Sequence, residues 1–202
     1  AADLDATGKR AAAFFADVTD ESSLQQAVAE TVSKFQKIDI LVNNAGVSIH
    51  KPLEEMTMEI WQKVINVNLT GVYLCCKTVA PVMKQHKYGK IVNIASLGGR
   101  TGRKVGINYA ASKAGVIGMT MCLARELGPF GIYVNDVCPG PILTEQTKQY
   151  PPEVFAGWNE GRAILKDGLP EDVGDAVVFL TSSKSNWITG VSLDVNGGIL
   201  MK

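Results

Sequence analysis

No stretch of about 18 apolar residues runs through the 202-residue sequence, and no basic leader precedes an apolar core. Neither a membrane span nor a signal peptide is therefore expected. Charge of one sign is lacking too. The 20 Lys and Arg balance the 20 Asp and Glu, with no basic run or stripe. That argues against nucleic acid and anionic membrane as partners. Histidine is scarce: His50 and His86 are too few and too far apart for a zinc set, so no metal is expected and both read as ordinary surface residues. Cys75, Cys76, Cys122 and Cys138 show no CxxC spacing, and each lies in an apolar segment. They read as buried free thiols in a reducing compartment, the cytoplasm. What the sequence does have is apolar residues, 46% of the whole, enough for one sizeable core. With no repeat, linker or low-complexity stretch, residues 1–202 are expected to form a single domain.

Apolar runs of strand length alternate with longer segments of helical period, the pattern of βαβ units around a parallel sheet. Strands are expected at Ala12–Asp17, Ile38–Asn43, Lys90–Ser96, Ile132–Val137 and Val191–Val195. Asp20 with Ser22 or Ser23 caps a helix to about Phe35, and Thr57 caps a long helix to Lys84. Further helices are expected over Tyr109–Leu127 and from Pro170 through Leu180. Open parallel sheets bind ligands at the carboxyl ends of their strands. Asp17-Val18, Asn43–Gly46, Ser96 and Pro139–Thr144 all fall there.

Tyr109 and Lys113, in Tyr-Ala-Ala-Ser-Lys, are four residues apart and project from one helix face. A free phenol is almost wholly protonated near neutral pH. A lysine charge about 5 Å away, at an effective dielectric of about 20, favours the phenolate by roughly 3 kcal/mol. The pair alone is also what an ordinary amphipathic helix carries. It does not stand alone. Ser96 lies thirteen residues before Tyr109, Asn43-Asn44-Ala45-Gly46 follows an apolar run, Asn68 sits in Asn-Val-Asn-Leu-Thr-Gly, and Pro139-Gly140 ends a further run with Thr144 soon after.

In these five motifs, from about Asp17 onward, the chain resembles the short-chain dehydrogenase/reductase family. The resemblance implies an α/β fold, a Rossmann-like doubly wound parallel sheet. It implies a catalytic set of Asn68, Ser96, Tyr109 and Lys113. Tyr109 exchanges a proton with the substrate oxygen, Ser96 holds that oxygen, Lys113 grips the nicotinamide ribose, and Asn68 steadies a water behind Lys113. Asp17 and Val18 match the adenine contact, and Asn43, Ala45 and Gly46 the segment along the adenosine. Pro139, Gly140, Ile142 and Thr144 match the nicotinamide contact. Pro141–Lys166, with Tyr150, Phe155 and Trp158, is long enough for a substrate lid or a subunit contact.

The family's first strand and its Thr-Gly-x-x-x-Gly-x-Gly phosphate turn do not occur in these residues, so the sequence is expected to be N-terminally incomplete. Without that strand, an unpaired apolar edge is expected beside Ile38–Val42. Ala2–Asp5 resembles the end of the second strand, where a carboxylate favours NAD over NADP. Asp3 is that candidate, although Lys9 and Arg10 keep NADP open. The expected function is an NAD(P)-dependent interconversion of a small-molecule secondary alcohol and ketone. A 3-oxoacyl-carrier-protein reductase is the specific alternative, and a catalytically silent oligomeric scaffold is the alternative from another class. Family members usually form tetramers, so a homotetramer is expected.

Overall fold

Parallel strands need crossovers, and the long periodic segments supply them. A computed structural model describes residues 4, 7, 9–145 and 147–201. Its sheet contains β1 (Ile40–Asn43), β2 (Gly89–Ile94), β3 (Ile132–Pro139) and β4 (Ser192–Val195), all parallel and in the order β1-β2-β3-β4. The helices are α1 (Glu21–Phe35), α2 (Met58–Ile65), α3 (Gly71–His86), α4 (Gly98–Thr101), α5 (Ile107–Leu127), α6 (Pro152–Trp158) and α7 (Pro170–Thr181).

Side chains alternate across the sheet and feed two cores. Ile91, Val134 and Cys138 pack with Val72, Val79 and Met83 of α3 and with Val116, Ala124 and Leu127 of α5. Val92 and Val137 point the other way, onto Leu180 of α7 and its partly buried neighbours. Helices thus cover both faces of a buried parallel sheet, the doubly wound α/β arrangement. Deep between β1 and α5 runs a polar string. Asn43 Nδ2 donates to Asn93 Oδ1 (2.8 Å) and to Cys76 Sγ (3.3 Å), and Asn93 Nδ2 donates to Thr120 Oγ1 (2.9 Å).

Local chemistry sets the helix starts. The Asp20 carboxylate accepts from Ser22 N at the head of α1, and Thr57 Oγ1 accepts from Ile60 N at the head of α2. The long helix expected from Thr57 is interrupted. Residues Asn66–Thr70 form a π-helical turn between α2 and α3, around the fully buried Asn68.

Two other expectations are corrected. Ala12–Asp17 forms no strand among the described residues and runs as coil. Its β-like composition meets no neighbouring ladder there to share backbone hydrogen bonds, and Phe15 is exposed. Cys75, Cys76 and Cys138 are buried, but Cys122 is exposed, because its position on α5 faces away from the sheet. The edge expected at β1 is present among the described residues: β1 ends the sheet, and its Ile40 and Val42 are 47% and 41% exposed. Asp3 lies outside the described residues. Among the described residues, no helix is long and apolar enough to cross a membrane, and no cluster of His, Cys, Asp and Glu could hold a metal ion.

Candidate active site

At the carboxyl ends of β1, β2 and β3 the chain turns into the segments that carry the candidate residues. α5 begins at Gly106, whose φ of 86° is a conformation that glycine adopts without a Cβ penalty. Asn108, fully buried, accepts from Tyr109 N through Oδ1 (2.8 Å) and so holds the first turn. One turn later Lys113 is buried. Its Nζ donates to Ile94 O at 2.6 Å, where β2 ends, and lies 5.8 Å from the Tyr109 ring centroid. Burial pushes the Lys113 amine down to about 8, with the Cys138 thiol opposing that only as a secondary influence.

Ser96 follows β2 and is half-buried. Its Oγ accepts from Gly98 N (3.1 Å), which leaves the hydroxyl proton free to donate. α4 then packs directly on α5, since a Cβ on Gly99 would lie 2.7 Å from the backbone of Lys113 and Ala114.

Asn68 reaches the same region from the π-helical turn. Its Oδ1 accepts from Val47 N (2.8 Å), and its Nδ2 donates to Val47 O (2.9 Å) and Ser112 Oγ (3.3 Å). The side chain thus clamps the loop after β1. Within that loop a Cβ on Gly46 would sit 3.4 Å from Asn68 Oδ1 and 3.8 Å from Lys113 Nζ. The bare glycine keeps the space beside the ammonium clear. Lys113 spends one N–H on Ile94 and has two left for hydroxyl groups. This donor set and cradle fit the ribose end of a nicotinamide dinucleotide.

The remaining candidates divide. Asn43 is committed through its side chain to the polar string, so of Asn43 itself only the backbone is open to a ligand. The Asp17 carboxylate accepts from Thr19 N (2.8 Å) and Thr19 Oγ1 (2.7 Å), which holds it below the ordinary carboxylate range. Val18 packs against Gly71 at the start of α3. At the end of β3, Pro139 O accepts from Leu97 N (2.9 Å) and Gly140 N donates to Val195 O (2.9 Å). Ile142 bridges to Gly168, and Thr144 is tied to Thr147, whose Oγ1 accepts from Thr144 N (2.7 Å) and donates to Ile142 O (2.8 Å).

Two residues of this region were not legible as site residues. His50, expected to be an ordinary surface residue, is half-buried with its ring 6.2 Å from that of Tyr109. Its Nε2 pairs with Ser48 Oγ (2.8 Å), while Nδ1 is buried without a partner against Gly106. Burial first, and the Arg103 guanidinium second, hold this imidazole below its ordinary range. Arg103 lies with its guanidinium carbon 5.2 Å from the Tyr109 ring centroid and 5.8 Å from that of Trp158. Trp158 in turn packs edge-on with Tyr150 (4.9 Å) and Phe155 (6.2 Å). The aromatics of Pro141–Lys166 therefore gather over the Tyr109 side of the site. The only sequence signal for either residue was proximity to the Asn-Asn-Ala-Gly loop or to Tyr109.

Comparison with known proteins gives a consistent picture. The family model described as "Enoyl-(Acyl carrier protein) reductase" matches residues 1–200. The chain is 40% identical over 201 residues to a 3-oxoacyl-[acyl-carrier-protein] reductase of Synechocystis sp., covering 99% of this chain and 80% of that protein. It is 39% identical over 188 residues to the 3-oxoacyl-[acyl-carrier-protein] reductase FabG of Thermotoga maritima, covering 93% and 76%. Among solved structures, that of gox2181 superposes with a TM-score of 0.88 at 35% identity, covering 91% of this chain and 74% of the other. A structure described as ElxO with NADP bound gives a TM-score of 0.86 at 35% identity, covering 94% and 79%.

Proposed function

Because this chain belongs to the short-chain dehydrogenase/reductase family and is an NAD(P)-dependent oxidoreductase acting on CH–OH groups, we propose that it reduces the keto group of a 3-oxoacyl thioester carried on an acyl carrier protein. The relatives from Synechocystis and Thermotoga support this reading over an unspecified alcohol and ketone pair. The observation that carries it is Lys113, buried beside Tyr109 and hydrogen-bonded to the end of β2. We take the cofactor to be NADP(H), on the strength of the NADP-bound relative. The opposite expectation rested on Asp3.

When bound, the nicotinamide supplies hydride to the substrate carbon. The protein's part is proton delivery and placement. Ser96 donates a hydrogen bond from its free hydroxyl to the substrate oxygen and fixes it next to Tyr109, which passes its proton to that oxygen. Lys113 stabilises the phenolate left behind and holds the ribose hydroxyls with its two remaining donors. Asn68 acts one step back: by clamping Val47 it fixes the Ala45-Gly46 backbone that the cofactor passes. Asp17, Val18 and the Pro139–Thr144 segment complete the cofactor contacts in this proposal. Residues 1–202 act as one domain, and the protein works as a homotetramer in the cytoplasm. Exposed apolar residues such as Tyr73 on α3 and Met121 on α5 supply the subunit contacts.

Tyr109→Phe tests the chemistry. It keeps the ring packing and removes the transferable proton, so turnover of acetoacetyl-carrier-protein should fall by roughly 10²–10⁴-fold with cofactor affinity little changed. Near-normal turnover would refute the assignment. Sedimentation at micromolar concentration tests assembly, and a monomer would count against it.

A further inference from the structure

We infer that His50 is a positioning residue for Tyr109: its imidazole, with Nδ1 bare, is the seat on which the catalytic helix begins. α5 springs from Gly106, whose carbonyl accepts from Tyr109 N (3.1 Å) and Ala110 N (3.2 Å). Gly106 N in turn donates to Lys51 O (3.2 Å), next to His50, so the loop after β1 is tied to the start of α5. A Cβ on Gly106 would lie 2.6 Å from His50 Nδ1, so the ring fills the space that any larger residue would need. The same ring lies edge-on to that of Tyr109, at 6.2 Å and 67°. One side chain therefore touches both the turn that starts the helix and the phenol that the helix carries.

A neutral imidazole carries one N–H and one bare nitrogen. Nε2 has a partner in Ser48 Oγ (2.8 Å), and Nδ1 is buried with none among the described residues. With the proton on Nε2, the Ser48 hydroxyl accepts it, and Nδ1 sets only a lone pair against the Gly106 Cα, a weak but favourable contact. With the proton on Nδ1, a buried N–H has no acceptor, which is the costlier arrangement. The cation carries both protons and meets that cost with a charge added. The groups around it give no relief. They are the Arg103 guanidinium from the segment before α5, the Tyr109 phenol from α5, and Lys51 on the same loop, paired with Glu55 (3.1 Å). Among the described residues no carboxylate forms an ion pair with His50. Burial first and Arg103 second hold the imidazole below its ordinary 6.5. Protonation therefore drives the ring from its seat and loosens the start of α5. The acid limit on turnover belongs to His50 rather than to Tyr109.

This inference rests on the proposed role of Tyr109. His50 and His86 are the chain's two histidines, so proton–nitrogen correlation spectra of the full chain resolve both rings, with His86→Gln assigning them. At neutral pH His50 should show a protonated Nε2 and an unprotonated Nδ1, and it should titrate below pH 6.5. With acetoacetyl-carrier-protein as substrate, kcat should fall at the acid end with the midpoint of that titration. His50→Ala empties the seat and should lower kcat by roughly 10-fold or more with KM for the cofactor unchanged, since a displacement of about 1 Å can cost about 10²-fold. His50→Phe puts back a ring that takes no proton, so it should recover most of that kcat and lose the acid fall. A protonated Nδ1 at neutral pH would overturn the inference. So would full kcat in His50→Ala, or an acid fall that stays in place in His50→Phe. The thioester reading fails separately, if acetoacetyl-carrier-protein is not reduced while His50 shows the expected tautomer and titration.

Discussion

At Lys113 two requirements oppose each other. The proposed chemistry uses a cation, and the buried position disfavours one, which brings the amine down to about 8. An amine with a lowered pKa is charged below that value and neutral above it. The rate of reduction should therefore hold below pH about 8 and fall as pH rises through it, in a pH profile of kcat/KM. Asn68 makes a different kind of contribution. Replacing it with Leu keeps the volume but strips both Val47 backbone groups of their partners, where each unsatisfied buried group costs on the order of 1–3 kcal/mol. Urea unfolding of Asn68→Leu should report a loss of that size, with weaker cofactor binding.

The contact between α4 and α5 shows how elements place side chains. Gly99 lets one helix rest on the backbone of the other at Lys113 and Ala114. In Gly99→Ala the helices must separate, which should cost roughly 1–3 kcal/mol and lower turnover by moving Ser96 relative to Tyr109. A thermal melt beside steady-state kinetics would check both. Elements with a strong local signal were legible in the sequence. The caps Asp20 and Thr57, the apolar strand Ile40–Asn43 and the pair Tyr109/Lys113 each have a cause within a few residues. Features with distant causes were not. The interruption at Asn66–Thr70 answers to Val47, 21 residues from Asn68, and the burial of His50 answers to Gly106. Ala12–Asp17 has strand composition, but a strand also needs a ladder partner, which composition does not supply. No residue near Arg103 in the sequence signals its place beside Trp158, which α6 supplies from 55 residues away.

Across the whole molecule, the edge of β1 is the feature most exposed to association. Ile40 and Val42 present apolar side chains on a strand that, among the described residues, has no neighbour on its outer side, the usual template for a further strand. Prepared as these 202 residues, the chain should self-associate with rising concentration, and Val42→Lys should suppress this in light scattering. The buried lysines also reach beyond the site, through proton linkage. An unfolded chain leaves Lys113 at its ordinary 10.5, while the folded chain holds it at about 8. Between these values the unfolded state binds more protons, so raising the pH favours folding, by up to about 3 kcal/mol for this group. Lys90, buried with its Nζ on Ser185 Oγ, is lowered by desolvation and acts in the same direction. Relative to Lys113→Met, the protein should therefore gain melting temperature over the alkaline range in which it loses activity. The ammonium that serves the reaction is a standing load on the fold, and alkali lifts that load by discharging it.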